Sequence, residues 1–298
     1  MCARGLALLL GLLCASARTA GAEASLTVMT WNVENYLAED RVIDGEFRTA
    51  FPKPEKAKTA LRAAIRAAVP DVLALQEMGP EPYLEELQRD LATEGTAYPY
   101  RVLLAGPDPE RHVAVLARVP LAQVTPHVEV PVRGAKGDAA QLVRRGVLEV
   151  AVALGDRTIT LFVVHLKSRY TGDPNDPFSA AQRLGEAEAV RDLVLRRFPR
   201  PAEAPFLLLG DCNDAPRSRP VQMLLRRGGT KIAELLPALD ANGDGWTHHF
   251  RKEDSFSRVD YILVSPGLRP AVIKVWIFDS ADVRAASDHR PVLVRLDP

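Results

Sequence analysis

The chain is poor in cysteine. It has 3, of which Cys2 and Cys14 fall in its first segment, leaving Cys212 alone in the remainder. One thiol cannot close an internal disulfide, so the fold must rest on its apolar core. Net charge is absent too, with 38 basic residues against 38 acidic ones. That argues against holding nucleic acid by bulk electrostatics alone, but not against an enzyme that touches a few phosphates locally. Beyond the N-terminal segment no apolar run is long enough to cross a membrane as a helix. What the chain does have is ordinary globular composition, 47% hydrophobic and 26% charged over 298 residues, enough for one large domain.

The first segment reads as a leader. Arg4 precedes an apolar stretch from Gly5 to Leu13, and small residues run on to Ala22. Charge, short apolar core and small-residue exit define a secretory signal peptide. Residues 1–22 are therefore expected to be removed, with cleavage after Ala17 as the second choice. Cys14 raises a lipoprotein anchor, but bulky Leu13 before it argues against one. The mature chain, 23–298, is expected to be one secreted or periplasmic domain, monomeric and without a stable membrane anchor.

Apolar patterning predicts strands at 26–31, 72–75, 100–104, 113–117, 128–132, 147–154, 158–165, 206–209, 259–264, 272–278 and 292–296. Helices are predicted behind Pro54, over 82–91, over 221–226, and behind Ser179, where Gln182 completes a capping box. Residues 37–52 read as a loop and 133–138 as a hairpin connection. Helices and strands alternate early and strands cluster later. The fold class is therefore α+β, with mixed sheets covered by helices.

Several apolar runs end in polar groups: Asn32, Glu77, His165, and Asp211 with Asn213. Two more begin with them, Asp260 and the pair Asp288-His289. If these groups share a site, four strands point towards it and two away, which requires antiparallel neighbours. Each has a plainer reading. Gly210–Asp214 could be a polar turn, His165 a structural histidine, Glu77 an answer to a helix N-terminus, and Asp260 a surface partner of Arg258. As a set they offer mostly oxygen ligands, which suit Mg²⁺, with Mn²⁺ or Ca²⁺ as alternatives. Metal, acid and imidazole together are equipment for hydrolysing a phosphate ester. Residues 240–245 imitate half a calcium loop but lack its closing Glu and read as a turn. His248 and His249, adjacent on a strand, would face opposite ways and could not easily share a metal.

The ordered segments Trp31-Asn32-Val33-Glu34-Asn35, Gln76-Glu77, His165-Leu166-Lys167-Ser168, Gly210-Asp211-Cys212-Asn213, Arg258-Val259-Asp260-Tyr261-Ile262 and Ser287-Asp288-His289 resemble the motifs of the endonuclease/exonuclease/phosphatase (deoxyribonuclease I-like) superfamily. The resemblance implies a four-layer α/β/β/α sandwich, two packed mixed sheets flanked by helices. It also implies roles: Glu77, Asn32 and Asp288 on the metal, Asp211 activating water, Asn213 on the phosphate. His289 would contact the scissile phosphate with Asp260 fixing its ring, and His165 would be a second imidazole there. Lys167 and Arg169 are candidates for substrate charge by position. The implied partner is a phosphoester, with nucleic acid the first candidate and a phosphomonoester or lipid headgroup the second. A non-catalytic binder that keeps the fold is a further alternative. Cys212, by strand alternation, should face away from the site as a buried thiol. Selectivity should lie in loops 37–51, 170–178 and 241–257.

Overall fold

The computed structural model describes residues 25–132 and 141–298, so the leader and the 133–138 connection lie outside the described residues. The chain opens with β1 (Leu26–Tyr36), β2 (Glu39–Ile43), β3 (Glu46–Phe51), α1 (Glu55–Ala68), β4 (Val72–Met78) and α2 (Glu81–Thr93). The middle holds β5 (Tyr100–Leu104), β6 (His112–Ala117), β7 (Leu121–His127), β8 (Val147–Leu154), β9 (Arg157–His165) and α3 (Ala180–Arg197). Next come β10 (Phe206–Asp211), α4 (Arg219–Leu225) and the short β11 (Arg226–Arg227), β12 (Thr230–Lys231) and β13 (Glu234–Leu235). The last part runs through β14 (His248–Phe250), β15 (Ser255–Ser257), β16 (Asp260–Val264), β17 (Val272–Ile277), α5 (Ala281–Ala286) and β18 (Val292–Leu296).

Twelve of these strands form two six-stranded mixed sheets, ordered β17-β18-β1-β4-β6-β5 and β13-β16-β10-β9-β8-β7. Alternation along each strand sorts side chains into separate cores. On β10, Leu207 and Leu209 enter the core between the sheets, whereas Phe206 and Leu208 pack with α3 and α4. On β1, Leu26 and Val28 face the other sheet, while Met29 and Trp31 pack with α1. The result is helix, sheet, sheet, helix, as the resemblance implied. Cys212 falls in the outer core with α3 and α4, buried and unpaired.

Three local expectations are corrected. Residues 37–52 are not a plain loop, because β2 and β3 pair as an antiparallel hairpin. Its turn is Asp44-Gly45, both with positive φ, as a tight hairpin turn requires. The strand expected at 128–132 is displaced to β7, where Pro126 is tolerated because β7 is the outermost strand of its sheet. Ser179 does not cap α3. Its φ is positive, and the Asp176 carboxylate instead accepts from the backbone N–H groups of Ala181 and Gln182.

Gly210 is dictated by closeness. Its φ is +140°, and a Cβ there would lie 1.9 Å from the Val164 carbonyl oxygen on β9. Gly210→Ala should therefore cost at least about 3 kcal/mol or abolish folding. Soluble yield and thermal unfolding would show it, and a variant as stable as the parent would contradict the tight β9–β10 approach.

Candidate active site

The site forms where strand ends of the two sheets meet. In the second sheet, Asp211 pairs with His165 on parallel β9 and with Asp260 on antiparallel β16. Directly paired residues project from the same face, so these three make one row. In the first sheet, the β1–β4 register breaks after Asn32 and the β4–β6 register breaks after Leu75. Glu34, Asn35 and Glu77 adopt positive φ at these irregularities, and Asn213 does so just beyond β10. Such breaks re-aim side chains next to functional sites at some conformational cost.

Asp211 is almost fully buried. Its Oδ2 accepts from the Asn32 amide at 3.0 Å and the Asn213 amide at 3.2 Å, and its Oδ1 accepts from the Asn213 backbone N–H at 2.7 Å. His165 Nε2 stands 3.6 Å from Asp211 Oδ2 and 3.9 Å from Glu77 Oε1. Burial, then the neighbouring charge of Asp260, raises the Asp211 pKa to about 7 against the pull of His289. His289 goes the other way. Burial favours its neutral ring, but Asp260, through charge and a 2.8 Å bond to Nδ1, holds it protonated well above its usual range. Asp211 and Asp288 add to that effect. His165 is pushed well below its usual range, first by burial and then by Arg145 and His289. The site thus pairs a neutral imidazole with a charged one.

Some groups have more specific tasks than the motifs suggested. Asn32 gives its amide nitrogen to Asp211 and to Glu77 Oε1, while its own oxygen accepts from Glu34 N–H. In this arrangement Asn32 orients the two carboxylates, and metal ligation would require it to turn. Asn213 also donates to the Leu166 carbonyl, so a phosphate contact would require it to exchange one of its bonds. Lys167 directs its ammonium to the Ser168 and Tyr170 carbonyls beside Glu77. Arg169 is exposed and turns to Asp214 at 3.7 Å. Asp214, given no role in the chemistry, receives the Arg183 guanidinium at 3.0 Å.

Asp288 lies 3.7 Å from His248 Nε2 and 3.9 Å from His289 Nε2. Burial opposes its charge, but His248, His289 and Arg251 outweigh it and hold its pKa at about 2. His248 therefore belongs to the site, although adjacency with His249 set it aside; the two do face apart, His249 meeting Asp254 instead. Sequence reading also missed Lys53, buried, its pKa lowered to about 8 by burial against the acids Glu34, Asp288 and Glu77. Nothing in its surroundings, Phe51-Pro52-Lys53-Pro54, signals that position.

The residues fit a divalent cation. Both His165 ring nitrogens and Asp260 Oδ1 are buried without a hydrogen-bond partner, as expected where a cation and a phosphate complete the site. Glu77 and Asp288 offer carboxylate oxygen suited to a hard ion. Two groups bring three candidate ligand atoms within 4.8 Å of one another among the described residues, His248 with Asp288 and His289, and Asp211 with Asp260 and His289, but His289 as an imidazolium has no lone pair to give a metal.

Comparison with known families matches residues 29–289 to the Endonuclease/Exonuclease/phosphatase family. The chain belongs to that family and is a hydrolase of phosphoric ester bonds, in a family whose enzymes depend on divalent metal. Sphingomyelinase C from Streptomyces griseocarneus has the same fold, with 18% identity, 92% of this chain and 100% of that one covered, and a TM-score of 0.59. The catalytic domain of human Nocturnin, with bound sulfate, matches at 18% identity over 91% and 93% of the two chains, TM-score 0.60. A beta toxin variant from Staphylococcus aureus with bound magnesium ions matches at 15% identity over 92% and 100%, TM-score 0.60. Comparison with curated protein sequences finds no match. Among the described residues no helix is long and apolar enough to cross a membrane.

If Asp211 is the base, the rate should depend on its ionised form. At low Mg²⁺, kcat/KM should climb about tenfold per pH unit below a midpoint near 7 and level off above it. Saturating cation beside Glu77 should move that midpoint down, because positive charge favours the carboxylate. A flat profile between pH 5 and 8 under both conditions would remove Asp211 from the role.

Proposed function

We propose that the chain is an exported, monomeric, divalent-metal-dependent phosphodiesterase of nuclease type, cleaving phosphodiester bonds with an activated water. The observation that carries this reading is the Asp211 carboxylate, buried, with a pKa near 7, steered by Asn32 and Asn213 and set beside protonated His289. A base with a pKa near the working pH combines strength as a proton acceptor with a substantial ionised fraction.

In this scheme a water O–H gives its proton to Asp211 as its oxygen attacks phosphorus, and the ester oxygen opposite departs. His289, its Nδ1–H given to Asp260, turns its other N–H to the negative charge growing on the phosphoryl oxygens. His165 is neutral, so it can donate one N–H without adding charge. Glu77, oriented by Asn32 and by the Asn35 N–H, would hold the cation with Asp288. When bound, that cation supplies charge neutralisation at the phosphate. Export rests on the leader pattern of residues 1–22.

One panel tests the reading: DNA, RNA, sphingomyelin, phosphoinositides and a bis-aryl phosphate, each with Mg²⁺ and with EDTA. Hydrolysis of DNA or RNA that EDTA abolishes and Mg²⁺ restores is expected. Cleavage of sphingomyelin or phosphoinositides in preference to nucleic acid would replace it with the lipid-headgroup reading. No turnover on any substrate would favour a binding protein.

A further inference from the structure

Beside Glu77 a cavity of about 570 Å³ opens, with Asp108, Arg111, Arg144, Arg145 and Lys167 in its walls. Four basic groups, Arg111, Arg144, Arg145 and Lys167, line it against three acids, Glu77, Asp108 and Asp173. Asp108 Oδ2 accepts from Arg144 Nε at 2.9 Å and lies 3.2 Å from Arg145 Nε, so one carboxylate serves two guanidinium groups. Arg111 is answered by Glu39 and Glu110. Lys167 gives its ammonium to the Ser168 and Tyr170 carbonyls and pairs directly with no carboxylate oxygen. Glu186, whose two oxygens accept from the backbone N–H groups of Arg144 and Lys167, offsets part of the charge of Arg145 and Lys167.

Arg145 is the telling member. It is only 5% exposed; its Nη1 has no hydrogen-bond partner, and its Nε meets only Asp108 at 3.2 Å, without hydrogen-bond geometry. A buried guanidinium with open N–H groups is costly unless an acceptor arrives. Lys167 shows the same surplus, since burial first, and then the charges of Arg145 and Arg144, lower its pKa. Glu77, the expected cation ligand, lines the same cavity, so a group held there would lie next to the phosphoester being cut.

We propose that this cavity is an anion subsite in which Arg145, with Lys167, receives a second phosphate of the substrate, the one neighbouring the scissile ester. The subsite rests on the phosphodiesterase reading for the position of the scissile group. It selects an oligonucleotide strand, whose phosphates succeed one another, over a headgroup such as choline, whose positive charge these residues would repel.

The test compares a thymidine dinucleotide with and without a 5′-phosphate, both with Mg²⁺, in the parent, Arg145→Lys and Arg145→Met. The parent should prefer the phosphorylated dinucleotide by roughly tenfold to a hundredfold in kcat/KM, the worth of a charge-assisted hydrogen bond. Most of that preference should appear in KM. Arg145→Lys should keep part of it, and Arg145→Met should bring the two substrates near parity. Absence of a preference in the parent, or equal losses on both substrates in Arg145→Met, would overturn the subsite while leaving the hydrolase intact. A second measurement covers misfolding of Arg145→Met and failure of the phosphodiesterase reading alike: calorimetric titration of inorganic phosphate into metal-free parent and Lys167→Met. Binding at least tenfold weaker in the variant supports the subsite, and equal binding, or none to the parent, overturns it.

Discussion

Asp211→Asn should lose roughly a thousandfold in kcat, within the range usual for a general base, while the folded state survives. The exchange keeps the shape and removes the charge. Asn can still accept from the Asn213 backbone N–H through its oxygen, in place of Oδ1. Its amide nitrogen then faces the Asn32 and Asn213 amides, which now meet a donor where they had an acceptor. That mismatch should cost about 1–3 kcal/mol. Against it stands a gain, because the native carboxylate is buried beside Asp260, and a neutral side chain relieves that repulsion. The two effects oppose each other, so the thermal midpoint should move by only a few degrees. Asp214→Asn supplies the contrast: its carboxylate answers Arg183, so turnover should hold while the midpoint falls. If Asp211→Asn kept near-parental turnover, water activation would belong to another group.

The parts of this protein that could be read from its residues are those in which one strand suffices to set a side chain's direction. Asp211 and Cys212 follow each other at the end of an apolar run, and alternation alone sends one to the site and the other to the helix-covered core. Asp260 and His289 were legible for the same reason, each beginning or preceding a buried strand. Arg145 was not, because its importance comes from sharing Asp108 with Arg144, a contact between loops that no local pattern encodes. Lys53 reaches the site by giving its ammonium to the Glu34 carbonyl, 19 residues back along the chain. The Asp44-Gly45 turn was a readable hairpin signal, but weak alternation in its strands left it looking like loop. His248 was reached by no periodicity, since its partner Asp288 arrives from far along the chain. Ser179 and Gln182 had the right spacing for a capping box, yet Asp176 was better placed to take the same N–H groups.

Asp260→Asn should move the whole pH profile down, and this tests the coupling of the site more severely than loss of rate does. In the parent, Asp260 does two electrostatic things at once. It holds His289 protonated and it raises the Asp211 pKa. Removing its charge weakens both. The acid limb, set by ionisation of Asp211, should shift below its parental midpoint near 7. An alkaline limb should also appear, because His289 serves as a cation and is lost as pH rises through its pKa. In the parent that pKa is far above the usual histidine value, whereas without Asp260 it should fall back towards that value. The variant should therefore be active only in a narrow, acidic window, with kcat at pH 7.5 reduced roughly a hundredfold to a thousandfold. His289→Ala should lose a similar amount with no alkaline limb. Because Asp260 acts through His289 on the substrate, Asp260→Asn with His289→Ala should be no slower than His289→Ala alone. Multiplied losses in the double variant, or a shift of one limb without the other, would mean that the two residues act separately and that Asp260 does not link the base to the imidazolium.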